Sequence, residues 1–161
     1  MRIIIAAVGR LKSGADRDLY VRYEKRCSAG RQIGLTDLSV IEIGEARADR
    51  GEDRMVQEAA GLLQKVRPTA SDRLVLLDEH GPQMTSEAFA ASIQSYLDQG
   101  TTRLIFLIGG PDGHGEAVRR ASHQTLSLSK MTLPHGMARV LLAEQLYRAI
   151  TIITDHPYHR A

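Results

Sequence analysis

Only one cysteine, Cys27, occurs among the 161 residues, so no internal disulfide can form and redox chemistry is not expected. Its spacing from Leu19 and Tyr23 matches one helix face, which makes a half-buried structural thiol the expectation. No apolar run approaches the roughly 20 residues needed to cross a bilayer. The opening run Arg2-Ile3-Ile4-Ile5-Ala6-Ala7-Val8 is too short and too strand-like for a secretory leader. Repeats, low-complexity tracts and dividing linkers are also missing. The polar stretch Glu45 to Arg54 comes nearest to a linker and reads as a solvated loop before a helix. What is present, 43% apolar and 25% charged residues at this length, describes one soluble intracellular domain over residues 1–161.

Net charge is only +2, but it is unevenly placed. Residues 1–113 carry 15 basic and 16 acidic side chains, whereas residues 114–161 carry 6 and 3 together with five of the six histidines. A mildly basic, histidine-rich end is where contact with a polyanion and proton-transfer chemistry are to be sought.

Hydrophobic patterning predicts strands over Arg2–Val8, Leu38–Ile43, Arg73–Leu77, Arg103–Ile108 and a short one near Leu126–Leu128. Helical spacing predicts helices over Ala15–Ala29, Glu52–Val66, Ser86–Asp98, Glu116–Ala121 and about Met137–Ile152, the third capped by Thr85 or Ser86. Short β runs alternating with helices predict an α/β fold, a mostly parallel sheet flanked by helices.

In such a sheet, ligands bind at the carboxyl ends of the strands. After Ile108 comes Gly109-Gly110-Pro111-Asp112-Gly113-His114-Gly115, four glycines in seven residues, suited either to close main-chain approach by a ligand or to plain turn geometry. It is neither GxGxxG nor a Walker loop. After Leu77 come Asp78-Glu79-His80, which read as solvated loop residues because further metal ligands are not evident. The irregular stretch Leu128-Ser129-Lys130-Met131-Thr132-Leu133-Pro134 leads into the final helix. At about 100° per residue, Arg139 projects from the stripe formed by Leu142, Ala143, Leu146 and Ile150. A guanidinium there requires a partner: an internal carboxylate, a neighbouring subunit or an anionic substrate. Glu144 and Arg148 lie on the polar face as an i,i+4 pair, and the width of the apolar stripe suits a subunit interface. The tail from Asp155 to Arg160 gathers His156, Tyr158 and His159 with a carboxylate and a guanidinium. Two histidines three apart make a weak zinc site, so catalysis or substrate contact is the stronger expectation.

Four segments in order, Leu107 to Gly113, Leu128 to His135, Arg139 to Ala149 and His156-Pro157-Tyr158-His159, carry a resemblance across the whole chain. It resembles the bacterial ribosomal large-subunit pseudouridine N3-methyltransferase family, small members of the SPOUT superfamily. The resemblance implies a C-terminal trefoil knot, a cytoplasmic homodimer, and S-adenosylmethionine as methyl donor without a metal. It also implies a pseudouridine of large-subunit ribosomal RNA in the assembled ribosome as the target. By position, Leu77, Gly109, Leu128, Ser129, Lys130, Met131, Thr132 and Leu133 would contact the donor. Asp155 stands where the family commonly has Asn, which argues against an obligatory base at that position.

Methyl transfer to N3 requires loss of the N3 proton. His159 is the first choice as base because an unperturbed imidazole is partly neutral near physiological pH. Asp155 would serve only if burial raised its pKa. Arg139 would stabilise developing charge or hold a phosphate, and Tyr158 would stack on or hydrogen-bond to the base. The rival readings are a phosphate- or nucleotide-hydrolysing protein using the glycine turn and a ribosome-associated binding module. The first lacks a Walker lysine. The second leaves the proton-transfer groups of the tail unexplained.

Overall fold

The computed structural model of the chain describes residues 1–159. The strands are β1 (Arg2–Val8), β2 (Asp37–Ile43), β3 (Asp72–Leu77), β4 (Arg103–Ile108) and β5 (Gln124–Leu126). The α-helices are α1 (Ala15–Arg26), α2 (Gly51–Val66), α3 (Ser86–Asp98), α4 (Glu116–Ala121) and α5 (His135–Ile153). The five strands lie in the order β2-β1-β4-β3-β5, and every pairing is parallel.

Parallel strands need helical crossovers that cover both faces, so the central strands read as unbroken apolar runs. Alternate residues serve opposite faces. Ile3, Ile5 and Ala7 of β1, with Leu104, Phe106 and Ile108 of β4, face a core completed by Tyr20 of α1, Phe89 and Ile93 of α3, and Leu142 and Leu146 of α5. Ile4, Ala6 and Val8, with Ile105 and Leu107, face a smaller core closed by Ala59 and Leu62 of α2 and Val118 of α4. The Thr85 hydroxyl caps α3 by accepting the Ala88 amide at 3.1 Å.

β2, β3 and α2 each start one residue before the sequence expectation, and three elements differ from it by two residues or more. The first helix ends at Arg26 and tightens into a 3-10 helix, Cys27–Ile33, which Gly34 terminates at φ +91°. Cys27 starts this 3-10 helix and is buried in the larger core, which pushes its thiol up to about 12. The fifth strand is Gln124–Leu126 rather than Leu126–Leu128: the Ser127 amide donates to Pro82 O, outside the ladder, and ends the pairing. The last helix starts at His135, two residues early, because Pro134 at φ −55° is already set for helix entry.

The crossovers decide where a crevice is expected. From β3 the chain turns to α3 on the larger core, whereas from the adjacent β4 it turns to α4 on the smaller one. Neighbouring chains leaving towards opposite faces make the strand ends at Leu77 and Gly109 the place where such a sheet is expected to bind a ligand.

Candidate functional site

The glycine turn after β4 is built on its own main chain. Gly113 adopts φ +93° and its amide donates to Gly110 O at 3.0 Å. A Cβ on Gly109 would sit 2.6 Å from Gly113 O, so the turn itself requires glycine there. Two side chains of α2 lie against the turn, and one of them bonds to it. Arg54 grips Asp112 through two bonds of 2.7 and 2.9 Å while donating to the carbonyls of Ala48 and Asp49. Buried Glu58 accepts the Ala46 amide at 3.0 Å, and its Oε2 lies where a Cβ on Gly110 would fall. The polar stretch before α2 is a mostly exposed loop, as expected, and Arg54 also fastens it to the turn.

On the β3 side, His114 is 8% exposed and its Nε2 lies 2.8 Å from Leu77 O. A carbonyl can only accept, so Nε2 carries the proton. Burial, aided by nearby Arg119, holds this imidazole below the usual histidine range. Asp78 is not a solvated loop residue: its carboxylate is enclosed and pairs with Arg119 at 2.8 Å. Burial alone would raise its pKa, but the His80 amide and Arg119 prevail and hold it below the ordinary carboxylate value. Glu79 and His80 are exposed, as expected.

The stretch after β5 packs beside these two turns. The Ser127 hydroxyl donates to Ser129 O at 2.8 Å, Ser129 Oγ accepts the Met131 amide at 3.0 Å, and the Thr132 hydroxyl donates to Glu79 at 2.7 Å. Leu128, Ser129 and Leu133 are half-buried; Lys130 and Thr132 are exposed, and Met131 is 76% exposed. Leu77, Gly109 and the run Leu128 to Leu133 thus belong to adjacent strand ends in the order β4-β3-β5.

The four residues expected to handle the acceptor divide into two groups. Arg139, 0% exposed in the first turns of α5, donates to Glu42 Oε1 at 2.5 Å, Gly9 O at 2.5 Å and Val8 O at 3.2 Å. The internal carboxylate is its partner. Tyr158 packs against Tyr147 with ring centroids 4.7 Å apart and planes inclined at 56°, donates to Glu144 Oε1 at 3.2 Å and carries Arg148 over its ring. Partial burial, then Tyr23 and Glu144, raise its pKa and keep the phenol protonated. His159 places Nε2 3.2 Å from Glu87 Oε1 on α3, and its buried Nδ1 has no protein partner among the described residues. Asp155 is exposed with φ +52°, just past the end of α5. About 14 helical residues, roughly 20 Å, separate Arg139 from this tail within one chain. Arg160, counted with the tail cluster, lies outside the described residues.

The family described as Predicted SPOUT methyltransferase matches residues 1–159. The chain belongs to this family. It is 48% identical over 162 residues to the ribosomal RNA large subunit methyltransferase H of Xanthobacter autotrophicus, with 100% of both chains covered. Identity to the protein of the same name from Rhizobium etli is 48% over 161 residues, 99% of each chain. Among solved structures, a probable methylase family protein from Haemophilus influenzae matches with a TM-score of 0.51 at 13% identity, covering 99% of this chain and 70% of that one. That likeness concerns the fold.

In this SPOUT methyltransferase the expected pairing of Glu144 with Arg148 is present at 2.6 Å, and Glu144 also receives Tyr158 and Gln145. Sequence reading does not single out Glu42, Arg54, Glu58, Asp112 or His114. The one signal for Glu42 is the requirement of Arg139 for a carboxylate, without an indication of which one.

Proposed function

We propose that this SPOUT methyltransferase transfers the methyl group of S-adenosylmethionine to N3 of a pseudouridine in large-subunit ribosomal RNA, on the assembled ribosome. It would act as a cytoplasmic homodimer whose C-terminal third forms a trefoil knot. The grouping of Leu77, Gly109 and residues 128–133 at three adjacent strand ends carries this reading, and the names of the full-length relatives support the RNA target. The residues suit an adenosine-bearing donor. Half-buried Leu77, Leu128 and Leu133 and uncovered Met131 offer apolar surface, while glycine lets main chain approach a ligand closely.

The bound donor supplies an electrophilic methyl on sulfur, and the protein needs no covalent intermediate. Its work is to align the acceptor nitrogen, exclude water and remove one proton. His159 suits that last task. With its Nε2–H donated to Glu87, the neutral ring keeps a lone pair on Nδ1, the nitrogen left without a protein partner among the described residues. Tyr158, its one hydroxyl proton donated to Glu144, offers a flat ring face beside it. Asp155 does not meet the condition for a base, since it is exposed. Its conformation gives it another role: Asp and Asn tolerate the left-handed region, and Asp155 closes the helix there. Arg139 contributes by fastening the segment after β1, with Nε its one nitrogen lacking a protein partner among the described residues.

Ribosomes lacking the modification, incubated with enzyme and labelled S-adenosylmethionine, should acquire one methyl group, and nucleoside analysis should place it on N3 of a pseudouridine. Absence of incorporation, or a methyl on another atom, would overturn the assignment.

A further inference from the structure

Leu77 ends β3 where its neighbour stops offering main-chain partners. The β3–β4 ladder closes at Leu77 opposite Ile108, after which β4 departs towards α4. In place of an amide from a continued ladder, Leu77 O receives Nε2–H of His114 at 2.8 Å. The same ring lies against the other strand end: a Cβ on Gly109 would come within 3.1 Å of His114 Cε1. One buried side chain therefore touches both strand ends assigned to the donor. It does so where the chain must diverge, beside one longer tie: Arg119 donates to His114 O at 3.3 Å and pairs with Asp78, the residue after Leu77, at 2.8 Å.

We propose that His114 is a positioning residue that sets the gap between Leu77 and Gly109 for the methyl donor. This rests on the donor assignment made above. The turn is held from α2 by Arg54, which grips Asp112 but makes no hydrogen bond to β3. Only the imidazole ties the turn to Leu77 among the described hydrogen bonds. Its loss should leave the fold standing and let the two strand ends drift apart, which a ligand spanning both would register as weaker binding.

The test is calorimetric titration of S-adenosylmethionine into the full-length protein and three variants. His114→Leu keeps the volume and removes the donor. His114→Gln carries an amide N–H that reaches about as far. Leu62→Ala opens a cavity in the smaller core and reports the effect of lost stability alone. Affinity should fall about tenfold in His114→Leu, return most of the way in His114→Gln and stay at the native value in Leu62→Ala. Native affinity in His114→Leu, or an equal loss in Leu62→Ala, would overturn the role of His114. Failure of the native protein to bind the donor would overturn the donor assignment and this inference with it. Should His114→Leu not fold, the imidazole Nε2–H resonance of the native protein decides: a shift on donor addition supports the role, and an unmoved resonance overturns it.

Discussion

Arg139 on α5 and Glu42 on β2, 97 residues apart in sequence, meet at 2.5 Å with the guanidinium fully enclosed. Glu42 Oε1 also accepts the Leu11 amide at 2.8 Å, so one carboxylate oxygen joins the last helix to the segment after β1. Removing either partner leaves charge poorly compensated. Arg139→Ala should cost about 3 kcal/mol in urea unfolding, and Glu42→Ala somewhat less because that carboxylate retains partial access to water. The double variant should lose clearly less than the sum of the two. Strict additivity would show that the pair is not coupled. In methylation assays, Arg139→Ala should reduce turnover while donor affinity stays close to native, since none of its contacts lies at the β3, β4 or β5 ends.

His159 is expected to act on the acceptor, not the donor. His159→Ala should depress methyl transfer while calorimetric affinity for S-adenosylmethionine is retained, and Glu87→Gln should show a smaller loss because it weakens only the bond that orients the ring. Unchanged turnover in His159→Ala would remove it from the reaction.

The tail and Arg139 sit at opposite ends of α5, so the proposed homodimer could be built with each tail serving its own site or its partner's. If the tail of one subunit completes the site of its partner, a mixed dimer should regain activity when one chain carries His159→Ala and the other Gly109→Val. The valine cannot fit, because its Cβ would lie 2.6 Å from Gly113 O. Neither homodimer should be active, and recovery should approach about a quarter to a half of native turnover per dimer as one intact site is restored. A mixture as inactive as its parents would place each complete site within one chain.

Asp155 separates conformational from chemical roles. At φ +52°, Asp155→Asn should keep both stability and turnover, whereas Asp155→Val should lose about 1–2 kcal/mol from a β-branched residue forced into the left-handed region. A large loss of methylation in Asp155→Asn with unchanged stability would restore the carboxylate to the reaction.

The sheet is legible in the amino-acid sequence because buried parallel strands leave compact apolar runs. Arg2–Val8 and Arg103–Ile108 match their apolar runs to the residue, as does the α3 helix with its Thr85 cap. The edge strand lies two residues earlier than hydropathy suggests. Leu126 and Leu128 stand out as apolar, but pairing there is set by where the Ser127 amide finds its acceptor, Pro82 O, across a different loop. The strand ends that matter are legible from their glycines and positions. The residues that shape them are not: Glu42, Glu58 and His114 owe their importance to partners 97, 12 and 37 residues away. Periodicity carries no information about such encounters, which depend on crossovers delivering two loops to the same place. Arg139 is the intermediate case. Its position on an apolar face announces the need for a partner and leaves the choice to the fold.

Acid stability provides a separate check on His114. Burial keeps its folded pKa below the ordinary 6.5, opposed only in part by the Leu77 carbonyl and by Asp78, while Arg119 pushes in the same direction as burial. The unfolded chain therefore binds a proton more readily than the folded one. The stabilisation is complete above about pH 6.5 and is lost as pH falls towards the lower folded value, with a slope of at most about 1.4 kcal/mol per pH unit. Asp72 and Asp78 do not contribute in this window. Both are held below the ordinary 3.8, burial being outweighed by Arg103 and Thr69 at one and by His80 and Arg119 at the other. Their stabilisation is lost only in stronger acid. Urea midpoints measured at about pH 7.5 and about pH 5.5 should fall on acidification in the native protein and fall less in His114→Gln, which has no proton to gain. Equal slopes in the two proteins would mean that the imidazole titrates in the fold as it does in the unfolded chain, contrary to its enclosure between β3 and the glycine turn.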